Sequence, residues 1–456
     1  MITSALIVSL AALAAASPVE PNRRSKLVER QSFSDDKDAF CNAPSSTPEE
    51  AQTLWIGSDA WITLDDYVSF YTDPGSDEPE PDDWLRKMVQ EYFPYAGDEG
   101  VDGCANIDVE GCEPAEDLEC GIWWDEHENV FDRSIYWILV AAEKTHAKFR
   151  SFRDTVRGET LLTSMEIGEM IKVFGGDEST DSSDFTYLSA AFSMINGVTG
   201  AIPGAQAIAA GAGVLGGMFS AAAESAADEG VEISTISAAL AEISRRTEDV
   251  IASTLRTAMG KAEDPADYDT LPVPSWDTLH TRIGKFFNGG YWLLDDDSQA
   301  AFDSLEIVRT AIRSITADLI LRNSGFMLAA DKRATSGEDC GYGTGRQWMN
   351  LKDDEWYCFY LLESTDTGYY EAKEEVYEAL ADYGLGEREY YYRAILDCAL
   401  SDNENKKPDL SNLPIGGVAE CMFSVPAKWY DYGNDPIACD PYSLEPCVDY
   451  DTWPIE

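Results

Sequence analysis

Apolar and polar positions through the middle of the chain follow a helical period. From Asp132 onward, Ile135, Ile138, Leu139 and Ala142 share one face. A second run passes through Leu161, Ile167, Met170, Ile171 and Phe174 to a stop at Gly175-Gly176. Ile233, Ile236, Leu240, Ile243, Val250 and Leu255 then carry a stripe to about Met259, and Pro265 to Pro274 is a break. Phe302, Leu305, Val308, Ile312, Ile315 and Leu319 recur at intervals of three, three, four, three and four. The acid run Asp295-Asp296-Asp297 is placed where a helix N-terminus favours negative charge, and Asn323-Ser324-Gly325 is a stop. Strand-like alternation is nearly absent over this stretch, so 131–335 is predicted to be a helical bundle.

Inside that bundle, residues 185–223 run for 39 positions without a charge. Acid brackets them: Asp177, Glu178, Asp181 and Asp184 before, and Glu224, Asp228, Glu229 and Glu232 after. A turn at Pro203-Gly204 would leave arms 185–201 and 205–223, which as helices would be about 26 and 28 Å long, near the thickness of a bilayer core. Gly200/Gly204 and Gly213/Gly217 have the G-x-x-x-G spacing that brings helices close. Two readings follow. As a permanent core hairpin, the stretch needs close packing to offset its seven glycines, which forgo roughly 5–7 kcal/mol against alanine in a helix interior. As an insertion hairpin, its membrane-facing candidates are Gly200, Gly204, Ile208, Gly213, Val214, Leu215, Gly217, Met218 and Phe219. Acid would be the trigger, by neutralising the flanking carboxylates.

The flanks read differently. Residues 31–130 appear irregular, with aromatic runs interrupted by the solvated Pro/acid segment 72–83. Residues 336–456 are cysteine-punctuated, with short helices predicted at Asp353–Glu363, Glu371–Ala381 and Glu387–Ala399. The predicted fold is mainly α: a helical bundle around a small-residue apolar hairpin, with disulfide-stapled N- and C-terminal regions.

Cysteine usage and charge place this fold outside the cell. Cys41, Cys104, Cys112 and Cys120 lie early and Cys340, Cys358, Cys398, Cys421, Cys439 and Cys447 late, with none between. Two even clusters read as disulfide frameworks. Pairing within clusters leaves three connectivities for the first and fifteen for the second. The first residues have the parts of a secretory signal, an apolar run from Ala5 to Ala16 followed by small residues, and Glu20 to Arg30 reads as a pro-segment, so 1–30 would be removed. The junction of Leu27-Val28-Glu29-Arg30 with Gln31 resembles the processing sites of secreted proteins of filamentous fungi, which implies export. A formal charge of −51 excludes nucleic acid as a partner. The order helix, apolar hairpin, helix across 130–330 resembles the layout of helical pore-forming toxins. That likeness implies a hairpin folded away in the soluble state and a membrane or host-surface partner.

Catalytic patterns are sparse. There is no G-x-S-x-G, phosphate loop, dinucleotide fingerprint or flavin motif, and no cofactor is expected. His127-Glu128 begins like a zinc-protease helix, but Phe131 stands where the second histidine belongs. Glu143 and His146 have di-iron spacing in a single copy where two are needed, and are expected on a solvated face. Asp98, Asp102, Asn106, Asp108 and Glu110 read as an acidic turn and not a calcium loop, having no EF-hand spacing. Asp125 and Glu126, beside Trp123 and Trp124, are the best carboxylate pair for glycoside hydrolysis, because aromatic neighbours can raise a carboxyl pKa and stack on a sugar. The competing reading buries the tryptophans and leaves the acids on a helix N-terminal turn. The expected function is that of a non-enzymatic secreted factor contacting a membrane or host surface. A polysaccharide hydrolase and a structural extracellular protein are the alternatives.

Overall fold

A computed structural model describes residue 33 and residues 36–72, 83–93, 99–114, 118–175, 235–271, 273, 278–295, 312–331, 334–341, 345–350, 356–365, 368–399, 423 and 425–430. The uncharged segment 185–223, with all nine insertion candidates from Gly200 to Phe219, lies outside them.

The described part of residues 31–130, expected to be irregular, instead contains six helices: α1 (Lys37–Cys41), α2 (Pro48–Gly57), α3 (Ala60–Thr72), α4 (Trp84–Tyr92), α5 (Glu99–Asp102) and α6 (Cys120–Glu126). Most are too short to display a period, and local chemistry sets their ends. Asp36 caps α1 by accepting from the Asp38 and Ala39 N–H groups. Thr47 and Glu50 close a capping box on α2, with Pro48 at the first helical position. The two runs from Asp132 to Phe174 are one helix, α7 (Val130–Phe174), 45 residues long and so about 68 Å end to end. Asn129 caps its start, and Gly175, at φ 79°, supplies the left-handed residue that ends it. Helix α8 (Ile236–Ala258) packs along α7, with Arg157 of α7 paired to Glu248 of α8. The expected break contains a 3₁₀ turn, Pro265–Thr270, before α9 (Arg282–Phe287). Residues 312–323 are helical, as their spacing predicts.

Beyond that helix the chain forms a sheet. Strands β1 (Phe326–Asp331), β2 (Gln347–Asn350), β3 (Trp356–Thr365), β4 (Gly368–Glu371) and β5 (Ala427–Tyr430) lie in the order β2-β3-β1-β5, with β4 beside β2 on the same edge of β3. All pairs are antiparallel except β1 with β5. Two expectations are corrected here. The helix predicted at 353–363 is strand β3, whose run Trp-Tyr-Cys-Phe-Tyr is rich in sheet-forming aromatics. The all-helical reading of 131–335 fails at β1, whose residues are all buried and show no alternation because both faces are covered. Helix α10 (Gly337–Cys340) precedes β2, and α11 (Glu374–Asp382) and α12 (Arg388–Ala399) match their predicted spans closely.

One hydrophobic core includes side chains from Phe40 to Ala427, with Trp55, Trp84 and Trp292 almost fully buried. A second, smaller cluster of Met327, Ala329, Cys340, Cys358, Tyr360 and Leu362 covers the opposite face of β1 and β3. Polar pins fix the helices to each other. Asp65 of α3, fully buried, accepts from the Thr281 hydroxyl at 2.7 Å and from the backbone N–H groups of His280 and Thr281. Asp295 accepts from Lys144 Nζ at 2.6 Å and Ser45 Oγ at 2.9 Å, while Asp296, Asp297 and the helix start expected beside them lie outside the described residues. Three disulfides are formed within the two sequence clusters: Cys41–Cys120, Cys104–Cys112 and Cys340–Cys358. The side chains of Cys398, Cys421, Cys439 and Cys447 lie outside the description. Among the described residues no helix is long and apolar enough to cross a membrane.

Candidate functional site

The carboxylate pair nominated by the sequence sits on α6, but at its C-terminal end and not on its first turn. Trp123 and Trp124 are 2% and 7% exposed, so neither offers an open face to a sugar. Trp123 is held by Phe93 at 4.7 Å and by the His127 imidazole stacked at 3.5 Å, and Arg133 lies 3.7 Å over Trp124. His127 Nδ1 is 2.9 Å from the Trp123 carbonyl. Asp125 points into water and pairs with Lys37 at 2.6 Å, while Glu126 is exposed. The site is an aromatic knot that carries its acids on the outside.

His146, expected on a solvated face, is instead buried and 3% exposed. With Arg150 and Arg153 it forms one basic edge of α7, at helical spacing, that grips the loop closed by Cys104–Cys112. The His146 Nε2 lies 3.2 Å from the Asn106 carbonyl. Arg153 donates to the Ile107 carbonyl at 3.1 Å and to Asp108 at 2.9 Å, and Arg150 approaches Glu110 at 3.6 Å. Asp102 pairs with Arg86 of α4. Each described acid of this turn, Asp102, Asp108 and Glu110, thus faces an arginine, and Asp98 lies outside the described residues. Among the described residues no group of three or more His, Cys, Asp or Glu is placed to hold a metal. Burial, aided by Arg150 and Arg153, lowers the His146 pKa despite the Asn106 carbonyl.

The second face of the sheet carries chemistry the sequence reading missed. Alternation along the strands, together with the ladder register, puts Asp331, Arg346, Trp348, Asn350, Trp356 and Tyr360 on this side. Arg346 and Glu371 form a largely buried pair at 2.8 Å, and Arg346 also donates to the Cys340 carbonyl at 3.1 Å. Burial pulls the guanidinium pKa down, but Glu371 outweighs it and the net shift is upward. The Tyr360 hydroxyl donates to Asp331 at 3.1 Å. Toward the edge, Trp348 and Trp356 are parallel, with ring centroids 5.7 Å apart and planes 15° apart. Trp348 is half-buried against the smaller cluster, and Trp356 is 44% exposed. On the inner side, Tyr377 and Tyr392 are buried with pKa values pushed far up by desolvation, and Tyr392 donates to the Gly345 carbonyl at 2.7 Å. The overlooked signal is a period of two, Trp348 and Asn350 followed by Trp356, Cys358 and Tyr360, hidden because the opposite face of β3 is also apolar.

No family model, curated protein or solved structure matches this chain.

Proposed function

We propose that this protein is an exported, non-enzymatic factor that acts by contact with a membrane or host surface, with acid-driven insertion of the 185–223 segment as its mode of action. One observation carries the reading. In sequence the uncharged stretch falls between the long helix α7, which ends at Phe174, and α8, which begins at Ile236 and packs against α7. A neutral segment flanked by carboxylates is therefore strung between two packed helices of a disulfide-clamped scaffold. Lowering the pH removes charge from Asp177, Glu178, Asp181, Asp184 and Glu224, and with it the cost of bringing those flanks to an anionic surface. The disulfides fit an oxidising compartment.

The hydrolase reading has less support, because the buried Trp123 and Trp124 leave Asp125 and Glu126 without a stacking surface. The test is dye release from anionic vesicles, expected near about pH 4 and weak near about pH 7. Leu215→Lys should abolish release while far-UV circular dichroism stays unchanged. Absence of release across that range refutes the proposal, and a Leu215→Lys chain that fails to fold favours a permanently buried hairpin.

A further inference from the structure

This inference goes beyond the membrane reading and does not depend on it. We propose that Trp348 and Trp356 form a stacking platform for a neutral pyranose, making this edge of the sheet a glycan-binding site.

The chain hides its tryptophans. Of the nine whose side chains are described, Trp356 is the only one exposed. Leaving nearly half of an indole in water forgoes part of the burial that its large apolar surface would otherwise gain. The exposed ring is also rigid. Trp348 pairs with Cys358 and Asn350 with Trp356 in the antiparallel ladder, so the two indoles are diagonal neighbours on one face. Trp348, anchored in the smaller cluster and packed beside Gly337, lies parallel to Trp356 and sets its tilt. A ring fixed on a strand presents its π-face with little entropy left to lose on binding.

The chemistry of the occupant follows from what such a face accepts. An indole face is electron-rich, and the C–H-lined face of a pyranose places weakly positive hydrogens against it. Asn350, directly across the ladder from Trp356 and exposed, puts a carboxamide at the rim where it can meet sugar hydroxyls. Nucleobases stack on the same kind of ring, but the charge of −51 repels their phosphates. Uronic or sialylated sugars are opposed by the same field, which leaves neutral saccharides. A basic peptide would suit the charge, but cation recognition is strongest where several aromatic faces converge on the cation. Here the two rings are parallel, and Trp356 carries the open face.

The full-length protein should be titrated with cellohexaose, chitohexaose, mannohexaose and maltohexaose, and separately with hexa-arginine, following tryptophan fluorescence and heat of binding. At least one saccharide is expected to bind saturably. Trp356→Ala should weaken it by roughly tenfold or more, as loss of an aromatic anchor does, while Trp356→Phe keeps most of the affinity. No saturable saccharide binding, or binding unchanged in Trp356→Ala, overturns the proposal. Binding of hexa-arginine alone, lost in Trp356→Ala, also overturns it and reassigns the ring to a cationic partner. Vesicle leakage is expected to be the same in Trp356→Ala and the parent chain, so this site and the 185–223 segment are tested apart.

Discussion

Removing the Cys41–Cys120 bridge tests whether the N-terminal helices are held by chain connectivity or by packing around the sulfurs. The bridge spans 79 residues and ties α1 to α6 around α2–α5, whereas Cys104–Cys112 spans 8. In the loop-entropy account the longer link contributes about 4.5 kcal/mol and the shorter about 2.5 kcal/mol. The inner bridge shortens the outer loop by so little that the longer figure falls by only about 0.1 kcal/mol. Packing predicts the reverse order. Cys104 and Cys112 are buried, while Cys41 and Cys120 are half-buried, so truncation to alanine leaves the larger cavity at the short loop. The paired variants Cys41→Ala/Cys120→Ala and Cys104→Ala/Cys112→Ala should be compared by urea unfolding with linear extrapolation. The expected result is that the first pair loses about 2 kcal/mol more than the second. Equal losses, or a larger loss at Cys104–Cys112, refute the connectivity argument.

Four further outcomes are expected. His146 is held below the ordinary histidine value by burial first and by Arg150 and Arg153 after it, so the unfolded chain protonates before the folded one. Stability is then full above about pH 6.5 and lost as pH falls toward the depressed value, and His146→Gln should flatten unfolding midpoints measured from about pH 8 to pH 5; an unchanged slope contradicts this. Glu242, held at about 2 by hydrogen bonds from Arg245 and Arg246 against a smaller opposing effect of burial, contributes stability that is complete above its unfolded value and lost as pH falls toward about 2; Glu242→Gln should remove that part of the acid transition. Gly290→Ala puts a Cβ 2.4 Å from the Ala51 carbonyl at φ 78°, and a melting temperature lowered by the equivalent of about 2 kcal/mol or more is expected. Asp65→Ala leaves the buried Thr281 N–H and hydroxyl, and the His280 N–H, without their acceptor and should cost about 3 kcal/mol in urea unfolding.

The helical centre was legible because α7 and α8 each bury one stripe and wet the other, and amphipathic spacing reports that arrangement directly; the 312–323 helix is enclosed on nearly all sides and was legible only from the recurrence of Ile312, Ile315 and Leu319. The N-terminal helices were not, because their ends are set by caps such as Asp36 and Thr47 and their tryptophans are too widely spaced to form a stripe. Strand β1 and residues 357–362 of β3 escaped for the opposite reason: sheltered on both faces, they show an apolar run that a short buried helix would also show. The disulfide clusters were readable in number and grouping, but connectivity depends on which ends the fold brings together. The candidate site divides the same way. The pattern around Trp123 and Asp125 was visible as an aromatic-acid motif, yet only the fold tells that Trp123 and Trp124 face inward while Trp356 faces out.

The scarcity of cations ties these observations to function. The chain has 33 lysines and arginines against 84 carboxylates, and many of the described cations are engaged by groups of the chain itself. Lys144 and Lys148 hold the Leu293 and Leu294 carbonyls, Arg153 the Ile107 carbonyl, Arg157 Glu248, Lys261 Asp83 and Arg346 Glu371. Carboxylates outnumber cations by more than two to one, so at neutral pH the surplus carboxylates dominate the outward field. Acid removes that surplus while the cations keep their charge, which changes how the protein meets a charged surface but leaves a neutral saccharide indifferent. The two proposed contacts therefore carry opposite signatures. Vesicle association should rise steeply as pH falls and respond to ionic strength, whereas binding at Trp356 should be nearly flat in salt and in pH. A saccharide affinity that tracked ionic strength would mean that charge, and not the indole face, was holding the ligand.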